Sequence, residues 1–340
     1  MIAILGGGIA GASLALSLAA RGRRDVVVFD PAAPASGSTG KAFGGFRTQH
    51  GSALNIALSL AARPFFLARA DRIGFRSVGY LYFATTEESR RALRERAELQ
   101  RSCGLPIEHP DPASVVPFLV APDVLEANYC ALDGVYLPRD VLACVAEEAR
   151  ERGAELRYGA AAADNELARA ETIVICAGAA SRQVGQRLGV ELGVQPVRRG
   201  IFQVGPFPWL SPFTPVTLDA GTGFHFRERD HRLLVVGPAA PEDWAAHREW
   251  LGERVPQAAT AAPETQWSGD YEVTFDHHPL VGPTERPDVW AMCGFSGHGV
   301  MHSPAAADAL AAMLLGDTPP IDITPLDPRR TVPLVDTTQL

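Results

Sequence analysis

Two glycine-rich turns near opposite ends of the chain have the residue types and spacing with the clearest chemical meaning. The first reads Gly6-Gly7-Gly8-Ile9-Ala10-Gly11, and the second reads Gly294-Phe295-Ser296-Gly297-His298-Gly299. In the first turn, Gly6 permits a tight bend, Gly8 lets the backbone approach a pyrophosphate, and Gly11 lets a helix pack on the preceding strand. The N–H groups at the start of that helix have no intrahelical partners and can bind the anion. The first turn therefore predicts a dinucleotide site.

Asp30 stands 24 residues after Gly6, at the end of the apolar run from Val26 to Phe29. In a dinucleotide fold an acidic residue at this place accepts hydrogen bonds from the ribose hydroxyls and repels a 2′-phosphate. A surface turn aspartate is the alternative interpretation. The order strand, glycine turn, helix, strand and acidic residue favours the dinucleotide interpretation.

The composition excludes several classes of partner. A chain of 340 residues is too long for one small core, so we expect two closely packed domains. The formal net charge of −8 argues against a nucleic-acid partner and against an anionic membrane, because both favour a basic surface. The five cysteines form no CxxC pair and no metal-ligand spacing. We therefore expect reduced thiols, no metal site and a cytoplasmic protein.

The apolar stretch from Ile2 to Ala20 is about as long as a membrane span. It lacks a basic n-region, and its glycines fall where a strand, a turn and a helix need them. We interpret the stretch as buried structure and expect neither a targeting segment nor an integral membrane segment.

The hydrophobic pattern places both glycine turns between a strand and a helix. Predicted strands are 2–5, 26–29, 78–84, 155–158, 172–176 and 289–293, with short β-like runs between 195 and 275. Predicted helices are 10–20, 52–70, 86–103, 138–152, 243–254 and 304–315, with Thr86 and Ser303 as N-caps of the third and the last. The proline-rich segment 205–213 cannot be regular structure.

The chain resembles the superfamily of FAD-dependent D-amino-acid oxidases, glycine oxidases and sarcosine oxidases. Five motifs carry the resemblance: Gly6 to Gly11 with Asp30, 38–47 (STGKAFGGFR), 173–179 (IVICAGA), 267–282 (WSGDYEVTFDHHPLVG) and Gly294 to Gly299. The resemblance implies FAD instead of NAD. It also implies an α/β fold, with a Rossmann-like FAD-binding domain of the glutathione-reductase type and an interleaved substrate domain of antiparallel β-sheet plus helix. We expect the FAD-binding domain to comprise 1–77, 130–194 and 276–340, and the substrate-binding domain to comprise 78–129 and 195–275.

The resemblance also implies the cofactor contacts. They are Gly6, Gly8, Ile9, Ala10, Gly11, Asp30, Ser38, Thr39, Lys41, Gly44, Gly45, Ala177, Gly178, Gly294, Gly297, His298, Gly299, Val300 and Met301. A reduced flavin carries negative charge on its pyrimidine edge, and the N–H groups from Gly297 to Val300 are suited to stabilise it. His298 lies near the flavin ring or only fixes the turn.

Two substitutions imply that the FAD is noncovalent. Lys41 stands where the dimethylglycine dehydrogenase branch has a flavin-linked histidine, and Gly269 stands near the position of the flavin-linked cysteine of monomeric sarcosine oxidase. Neither residue can repeat the covalent role of its counterpart.

Arg47 corresponds to an arginine that binds the substrate carboxylate in sarcosine oxidases, although a structural role at the domain seam is the alternative. Met301 replaces a second cation, a lysine in sarcosine oxidase. His302 and Tyr271 are further candidate catalytic residues, and His225 and Tyr80 are candidate pocket residues; a core or surface role stays open for each. The pair His277-His278 could supply a base, but we prefer a structural interpretation.

We expect an FAD-dependent oxidoreductase that oxidises the C–N bond of an amino acid or N-alkyl amino acid. Hydride passes to the flavin, and water hydrolyses the resulting imine. Oxygen or another acceptor then reoxidises the flavin. Lys41 is the only lysine, so the lysine that activates oxygen in sarcosine oxidase has no counterpart, which favours a dehydrogenase. The alternatives are a 2-hydroxy-acid dehydrogenase and a flavin-binding subunit that needs a partner protein for activity.

Overall fold

A computed structural model of the protein describes residues 1–336. Its strands are β1 Ile2–Leu5, β2 Val26–Asp30, β3 Gly45–Phe46, β4 Tyr80–Ala84, β5 Glu126–Cys130, β6 Gly134–Val135, β7 Glu155–Tyr158, β8 Thr172–Ile175, β9 Gln195–Val204, β10 Val216–Asp219, β11 His225–Arg229, β12 Arg232–Val236, β13 Pro263–Val273, β14 Leu280–Pro283 and β15 Val289–Cys293. Its helices are α1 Ile9–Ala20, α2 Ser38–Lys41, α3 Ala53–Leu67, α4 Ala70–Ile73, α5 Glu87–Ser102, α6 Pro112–Val115, α7 Pro138–Glu151, α8 Asp164–Leu167, α9 Ser181–Arg187, α10 Trp244–Arg254 and α11 Gly299–Leu315.

The first sheet has six strands in the order β14-β15-β8-β1-β2-β7, drawn from separate parts of the chain. Its central strands are parallel, and only β14 pairs antiparallel with its neighbour. The central strands are apolar throughout because helices cover both faces of such a sheet. Helix α1 packs between α7 and α11 over one face.

The second sheet has seven strands in the order β13-β9-β12-β11-β10-β4-β5. All of its pairs are antiparallel except that of β10 with β4. The predicted combination of a parallel, Rossmann-like sheet with an antiparallel sheet is confirmed. The two sheets draw their strands from interleaved parts of the chain. The division into an FAD-binding and a substrate-binding domain stays a prediction.

The last helix differs most from its prediction. It begins at Gly299, five residues before the predicted start, and Ser303 lies inside it instead of capping it. The sequence Ser303-Pro304 is typical of a helix start, because proline suits the first turn. Here the glycine turn itself starts the helix, and Pro304 lies inside the helix at its sixth residue, where it cannot donate to the carbonyl one turn earlier.

The other differences are small. Helix α3 ends at Leu67 and a separate turn of helix, α4, follows, while strand β4 begins at Tyr80 after Gly79, whose φ is +80°. Thr86 caps α5 as predicted, in a capping box with Ser89. The segment between β7 and β8 contains only the helical turn α8.

The five cysteines are unpaired, and four of them are buried. Among residues 1–336, no helix is both long enough and apolar enough to cross a membrane.

Candidate functional site

The first glycine turn forms an anion cradle that requires its glycines. A Cβ on Gly6, whose φ is +115°, would lie 2.3 Å from the carbonyl oxygen of Cys176, and a Cβ on Gly11 would lie 1.9 Å from the carbonyl oxygen of Gly6. Helix α1 starts without a side-chain cap on Gly8 and without an acidic residue in its first turn. The N–H groups at this helix start are thus suited to the pyrophosphate of a dinucleotide.

Asp30 lies beside the first turn, at the carboxyl end of β2. Its Oδ2 accepts from the Gly7 N–H at 2.8 Å and its Oδ1 accepts from the Ala32 N–H at 2.8 Å. Tyr158, which had not been predicted, donates its hydroxyl to the Gly7 carbonyl at 2.9 Å. In the sequence, its only signal is its position at the end of the predicted strand 155–158. In the structure, its Cα pairs with that of Asp30.

Helix α2 connects the first turn to the second sheet. The Thr39 hydroxyl accepts from the Ile9 N–H at 3.1 Å, and the Ser38 hydroxyl donates to the Asp270 carbonyl at 2.7 Å. The indole N–H of Trp267 donates to the Lys41 carbonyl at 3.0 Å, while the Lys41 side chain is exposed. The predicted loop therefore lies against both the cradle and strand β13.

Gly44 is held by Arg227, which sequence reasoning did not identify, while Gly45 pairs with Val135 in the short sheet of β3 and β6. The Arg227 guanidinium donates to the carbonyl oxygens of Gly44 and Tyr136. Burial lowers its pKa to about 10, and its group remains a cation at neutral pH. This arginine therefore has a structural role in the loop that precedes Arg47.

The second glycine turn leads from β15 into α11. Gly297 has φ +90°, and a Cβ there would lie 2.8 Å from the ring of Tyr271. Helix α11 starts with no acidic residue in its first turn and no side-chain hydrogen bond from its N-cap, His298. The N–H groups of Gly299, Val300 and Met301 thus form a second helix start without an intrahelical or side-chain partner in the described part of the chain.

Glu272 lies between the second turn and the end of β8. Gly178, with Ala177 before it, follows β8, and a Cβ on Gly178 would lie 3.9 Å from the Glu272 Oε2. This oxygen is buried without a hydrogen-bond partner among the described residues. Burial raises the pKa of Glu272 to about 7, although backbone N–H groups of Gly294 and Phe295 oppose the shift. A protonated carboxyl at this point is a hydrogen-bond donor without an acceptor.

Arg47 is buried beside the second turn. Its Nη1 donates to the Tyr82 hydroxyl at 2.9 Å, and its Nη2 lies 2.6 Å from Nε2 of His298. Burial, followed by the charge of Arg47, holds the pKa of His298 well below its usual value. The neutral imidazole accepts from Arg47 through Nε2, so its proton lies on Nδ1, which is buried and unpartnered among the described residues.

His302 lies one layer behind His298. Its Nε2 is 3.0 Å from the Ser59 hydroxyl, which is also 3.0 Å from Nε2 of His50. The rings of His298 and His302 have centroids 5.3 Å apart. Burial, followed by the charge of Arg47, lowers the pKa of His302 to about 3. Burial, followed by the charge of Arg47, also holds the pKa of His50 well below its usual value, so the three imidazoles are neutral.

Asp133 positions the segment that follows Arg47. Its Oδ1 accepts from the N–H and the hydroxyl of Thr48 at 2.5 and 2.6 Å, and its Oδ2 accepts from the Gln49 side chain at 2.9 Å. The carboxyl is fully buried, and burial raises its pKa to about 6. Nothing in the sequence near Asp133 indicated this role, since the contact joins residues 85 positions apart.

The remaining predicted site residues lie on the second sheet or in the core behind the second glycine turn. Tyr80 and Tyr82 stack on one face of β4, with centroids 6.2 Å apart, and His225 meets Phe43 edge-on at 5.0 Å. Met301 is buried in the apolar core of the first sheet. His278 is also buried, with its Nε2 2.8 Å from the Ser52 hydroxyl, as its structural interpretation requires. The structure thus brings Arg47, Tyr271 and His298 together and leaves His302 behind them.

Comparisons with known proteins agree on one family. The family model described as FAD dependent oxidoreductase matches residues 1–313. Glycine oxidase of Geobacillus kaustophilus is 26% identical over 95% of this chain and 95% of that protein. Mitochondrial dimethylglycine dehydrogenase of Rattus norvegicus is also 26% identical, over 96% of this chain but 44% of that larger protein.

Solved structures give the same fold. L-proline dehydrogenase from P. horikoshii superposes with a TM-score of 0.85 at 22% identity, covering 96% of both chains. Glycine oxidase from Geobacillus kaustophilus superposes with a TM-score of 0.85 at 24% identity, covering 97% of this chain and 98% of that one.

Proposed function

The chain belongs to the family of FAD-dependent oxidoreductases, and from this premise we propose that it oxidises the C–N bond of an amino acid or an N-alkyl amino acid. The observation that carries the proposal is the buried guanidinium of Arg47, which forms no ion pair with a carboxylate of residues 1–336 within 4 Å. A buried cation without an anion is costly, so the site is suited to an anionic ligand. A substrate carboxylate is that ligand.

The helix starts of α1 and α11 are suited to the two ends of FAD. The residues that would hold the adenosine and pyrophosphate end are those of the first turn, with Asp30 and Thr39, and those that would hold the flavin end surround the second turn. Neither helix has an acidic residue in its own first turn, so neither helix start is neutralised by an acidic side chain of that turn. When bound, FAD supplies the hydride acceptor. We propose noncovalent binding, because neither Lys41 nor Gly269 can form the flavin linkage known from related enzymes.

The protein would orient the substrate through its carboxylate. Arg47 still has N–H groups beyond those directed at Tyr82 and His298. The free Nδ1–H of His298 is a second donor in the same place. Holding the carboxylate fixes the α-carbon against the hydride acceptor, and such positioning supplies much of the rate acceleration.

His225 would accept a hydrogen bond from the substrate nitrogen. Its Nδ1 lies 2.9 Å from the carbonyl oxygen of Gly223, so Nδ1 donates and Nε2 carries the lone pair. Burial, the main cause, lowers the pKa of His225 to about 4, and the charge of Arg47 adds to this shift. The imidazole is therefore neutral at pH 7, and its Nε2 can accept a hydrogen bond from the substrate nitrogen, but the low pKa makes His225 a weak base.

Spectroscopy of the FAD-loaded protein under anaerobic conditions tests the proposal. From a panel of L-amino acids, D-amino acids and N-methyl amino acids, at least one compound should bleach the oxidised flavin, and 2-hydroxy acids should not. Bleaching by 2-hydroxy acids alone would replace the proposal with hydroxy-acid oxidation. Bleaching that requires a second protein would make the chain a subunit.

The electron acceptor and the location are part of the proposal. We propose a dehydrogenase, because Lys41 is the only lysine of the chain and the lysine that activates oxygen in sarcosine oxidase has no counterpart. We also propose a cytoplasmic location, which the five unpaired cysteines support. After reduction by substrate, admission of oxygen should restore the flavin spectrum more slowly than an artificial electron acceptor does. Rapid oxygen consumption at steady state would identify an oxidase instead.

A further inference from the structure

Arg96 is a second buried arginine near Arg47, and no sequence motif pointed to it. It lies on α5 and is 8% exposed. Its Nε donates to the carbonyl of Ala92, one turn earlier, at 3.3 Å. Its terminal nitrogens have no hydrogen-bond partner among the described residues, and no described carboxylate lies within 4 Å of its guanidinium.

The buried face of α5 directs Arg96 toward the Arg47 segment. Leu93, Arg96 and Gln100 are spaced by three and four residues, so they share one side of the helix. Leu93 belongs to the same apolar cluster as Tyr82, and the Gln100 side chain donates to the His50 carbonyl at 3.2 Å. Arg96 therefore lies between a neighbour of Tyr82 and a residue that contacts the segment after Arg47.

The effect of the Arg47 charge on the pKa of Arg96 indicates that the two guanidinium groups lie in one region. Burial is the main cause that lowers the pKa of Arg96, and the positive charge of Arg47 lowers it further, while Tyr82 lies close to both. Asp336 offsets part of the positive charge on each, and its Oδ2 accepts from the Asn55 side chain at 2.7 Å. The pKa of Arg47 is nevertheless raised, whereas that of Arg96 is lowered, so Arg96 is the cation whose charge is less compensated by its surroundings.

Arg96 differs from Arg227, the buried arginine with a structural role, in the use of its terminal nitrogens. Arg227 is also buried, but its Nη1 donates to two backbone carbonyls. Within residues 1–336, the terminal nitrogens of Arg96 have no such acceptors. The Nε of Arg96 is held by the Ala92 carbonyl, while its two terminal nitrogens remain available. Such a guanidinium is suited to bind a carboxylate in bidentate geometry.

We propose that Arg96 and Arg47 form a site for a substrate with two carboxylates, an amino dicarboxylate. Arg47 holds the carboxylate next to the oxidised carbon, and Arg96 holds the second carboxylate. Acidic amino acids and N-carboxyalkyl amino acids are the compounds of this class. The inference rests on the proposed function for the chemistry, but its binding component can be measured separately.

The first experiment measures binding without turnover. Simple dicarboxylates of increasing length (malonate, succinate, glutarate) and matched monocarboxylates (acetate, propionate, butyrate) are titrated into the FAD-loaded protein, and thermal stabilisation and flavin spectral perturbation are recorded. At least one dicarboxylate should bind roughly 10- to 100-fold more tightly than its monocarboxylate, as expected for a charge-assisted hydrogen bond. Equal affinity of all dicarboxylates and monocarboxylates would overturn the proposal.

Variants assign the preference to Arg96. Arg96→Met should abolish the dicarboxylate preference and leave monocarboxylate affinity unchanged, and Arg96→Lys should retain part of the preference. Arg94→Met is the matched control, because Arg94 lies on the same helix but is exposed and paired with Glu126 at 2.8 Å. This control should behave like the unaltered protein. Equal weakening of both ligand classes by Arg96→Met would mean that Arg96 has only a structural role.

The two proposals can fail independently. If dicarboxylates bind in an Arg96-dependent way but no amine bleaches the flavin, the site stands and the proposed C–N oxidation is wrong. If amines bleach the flavin but Arg96→Met changes kcat/KM equally for amino dicarboxylates and amino monocarboxylates, the proposed function stands and the second-carboxylate site is wrong.

Discussion

Arg47 and His298 form the contact on which the substrate site depends. The resemblance to known enzymes identified both residues, but it did not indicate that they contact each other, because 251 positions separate them in the chain. The contact also places the proton of His298 on Nδ1, and no sequence pattern can predict which ring nitrogen carries it. Arg96 escaped sequence analysis for a related reason: α5 carries several arginines, and only packing distinguishes the buried one.

Arg47→Met should weaken carboxylate binding and leave FAD binding intact. The substitution removes a guanidinium that we assign to the ligand, and hydrogen bonds to charged groups contribute about 1.5–3 kcal/mol. We therefore expect monocarboxylate ligands to bind roughly 10- to 100-fold more weakly by spectral titration. Arg47→Lys should recover only part of this loss, because an ammonium cannot hold both His298 and a carboxylate in the same geometry. Unchanged ligand affinity in Arg47→Met would contradict the assignment.

Glu272→Gln should change how stability depends on pH. The pKa of Glu272 is raised in the folded protein to about 7, against an ordinary value of 4.5. Its contribution to stability is therefore complete below pH 4.5 and is lost as the pH rises through 7. The glutamine variant cannot ionise, so its apoprotein should lose less free energy of unfolding than the unaltered apoprotein over this window. Denaturant titrations at several pH values measure the difference, and parallel pH curves would refute the buried-carboxyl account.

At the scale of elements, the second glycine turn shows both what the sequence could predict and what it could not. Strand β15, the turn and a following helix were predicted, since the apolar run and the glycines are local signals. The helix start was wrong by five residues, because Ser303-Pro304 imitates a start that the glycine turn had already supplied. The packing of Tyr271 on Gly297 was not predicted, since it joins the second sheet to this turn.

Gly297→Ala should disturb this turn in two ways. Its φ of +90° strains any other residue, and the added methyl would lie 2.8 Å from the Tyr271 ring. Strain of this kind costs about 1–3 kcal/mol. We expect lower stability in denaturant titrations and weaker FAD binding by fluorescence titration.

Gly189→Ala is the matched control for Gly297→Ala. Gly189 has φ +73° but no atom within 4 Å of the Cβ position. The control should share the backbone strain and keep the FAD affinity of the unaltered protein. If both variants bind FAD equally well, the contact between Tyr271 and the turn has no role in the cofactor site.

At the scale of the whole molecule, the site lies where interleaved segments of the chain meet. The sequence predicted the two kinds of sheet because strand patterns and glycine turns are local. It could not predict the contacts that close the site, since Asp133 to Thr48, Arg47 to His298 and Arg330 to Asp276 all join distant segments. Such contacts depend on packing of the complete fold.

A buried ion pair between Arg330 and Asp276 attaches the segment around Arg330 to the loop before β14. Arg330 binds Asp276 through two nitrogens at 2.8 and 2.9 Å, and the Asp276 side chain is fully buried. Burial opposes ionisation, yet the bonds from Arg330 and nearby backbone N–H groups lower the pKa of Asp276 to about 2. The ionised carboxylate therefore stabilises the fold above pH 3.8, and this contribution is lost as the pH falls through 2.

Asp276→Asn should destabilise the protein by about 3 kcal/mol at neutral pH, because it leaves the Arg330 charge buried and unpaired. Asp327→Asn is the control, since its pair with Arg329 is exposed and should contribute less than about 1 kcal/mol. Thermal and denaturant unfolding compare the two variants. Equal effects would show that burial does not strengthen the Arg330 pair.

A single-turnover experiment tests the central claim, oxidation of a C–N bond, most directly. The FAD-loaded protein is mixed anaerobically with an amino acid substrate, and reduced flavin, 2-oxo acid and released ammonia are quantified. The account predicts that all three products form in equal amounts and that Arg47→Met forms them much more slowly at the same substrate concentration. Flavin reduction without release of ammonia would contradict the account.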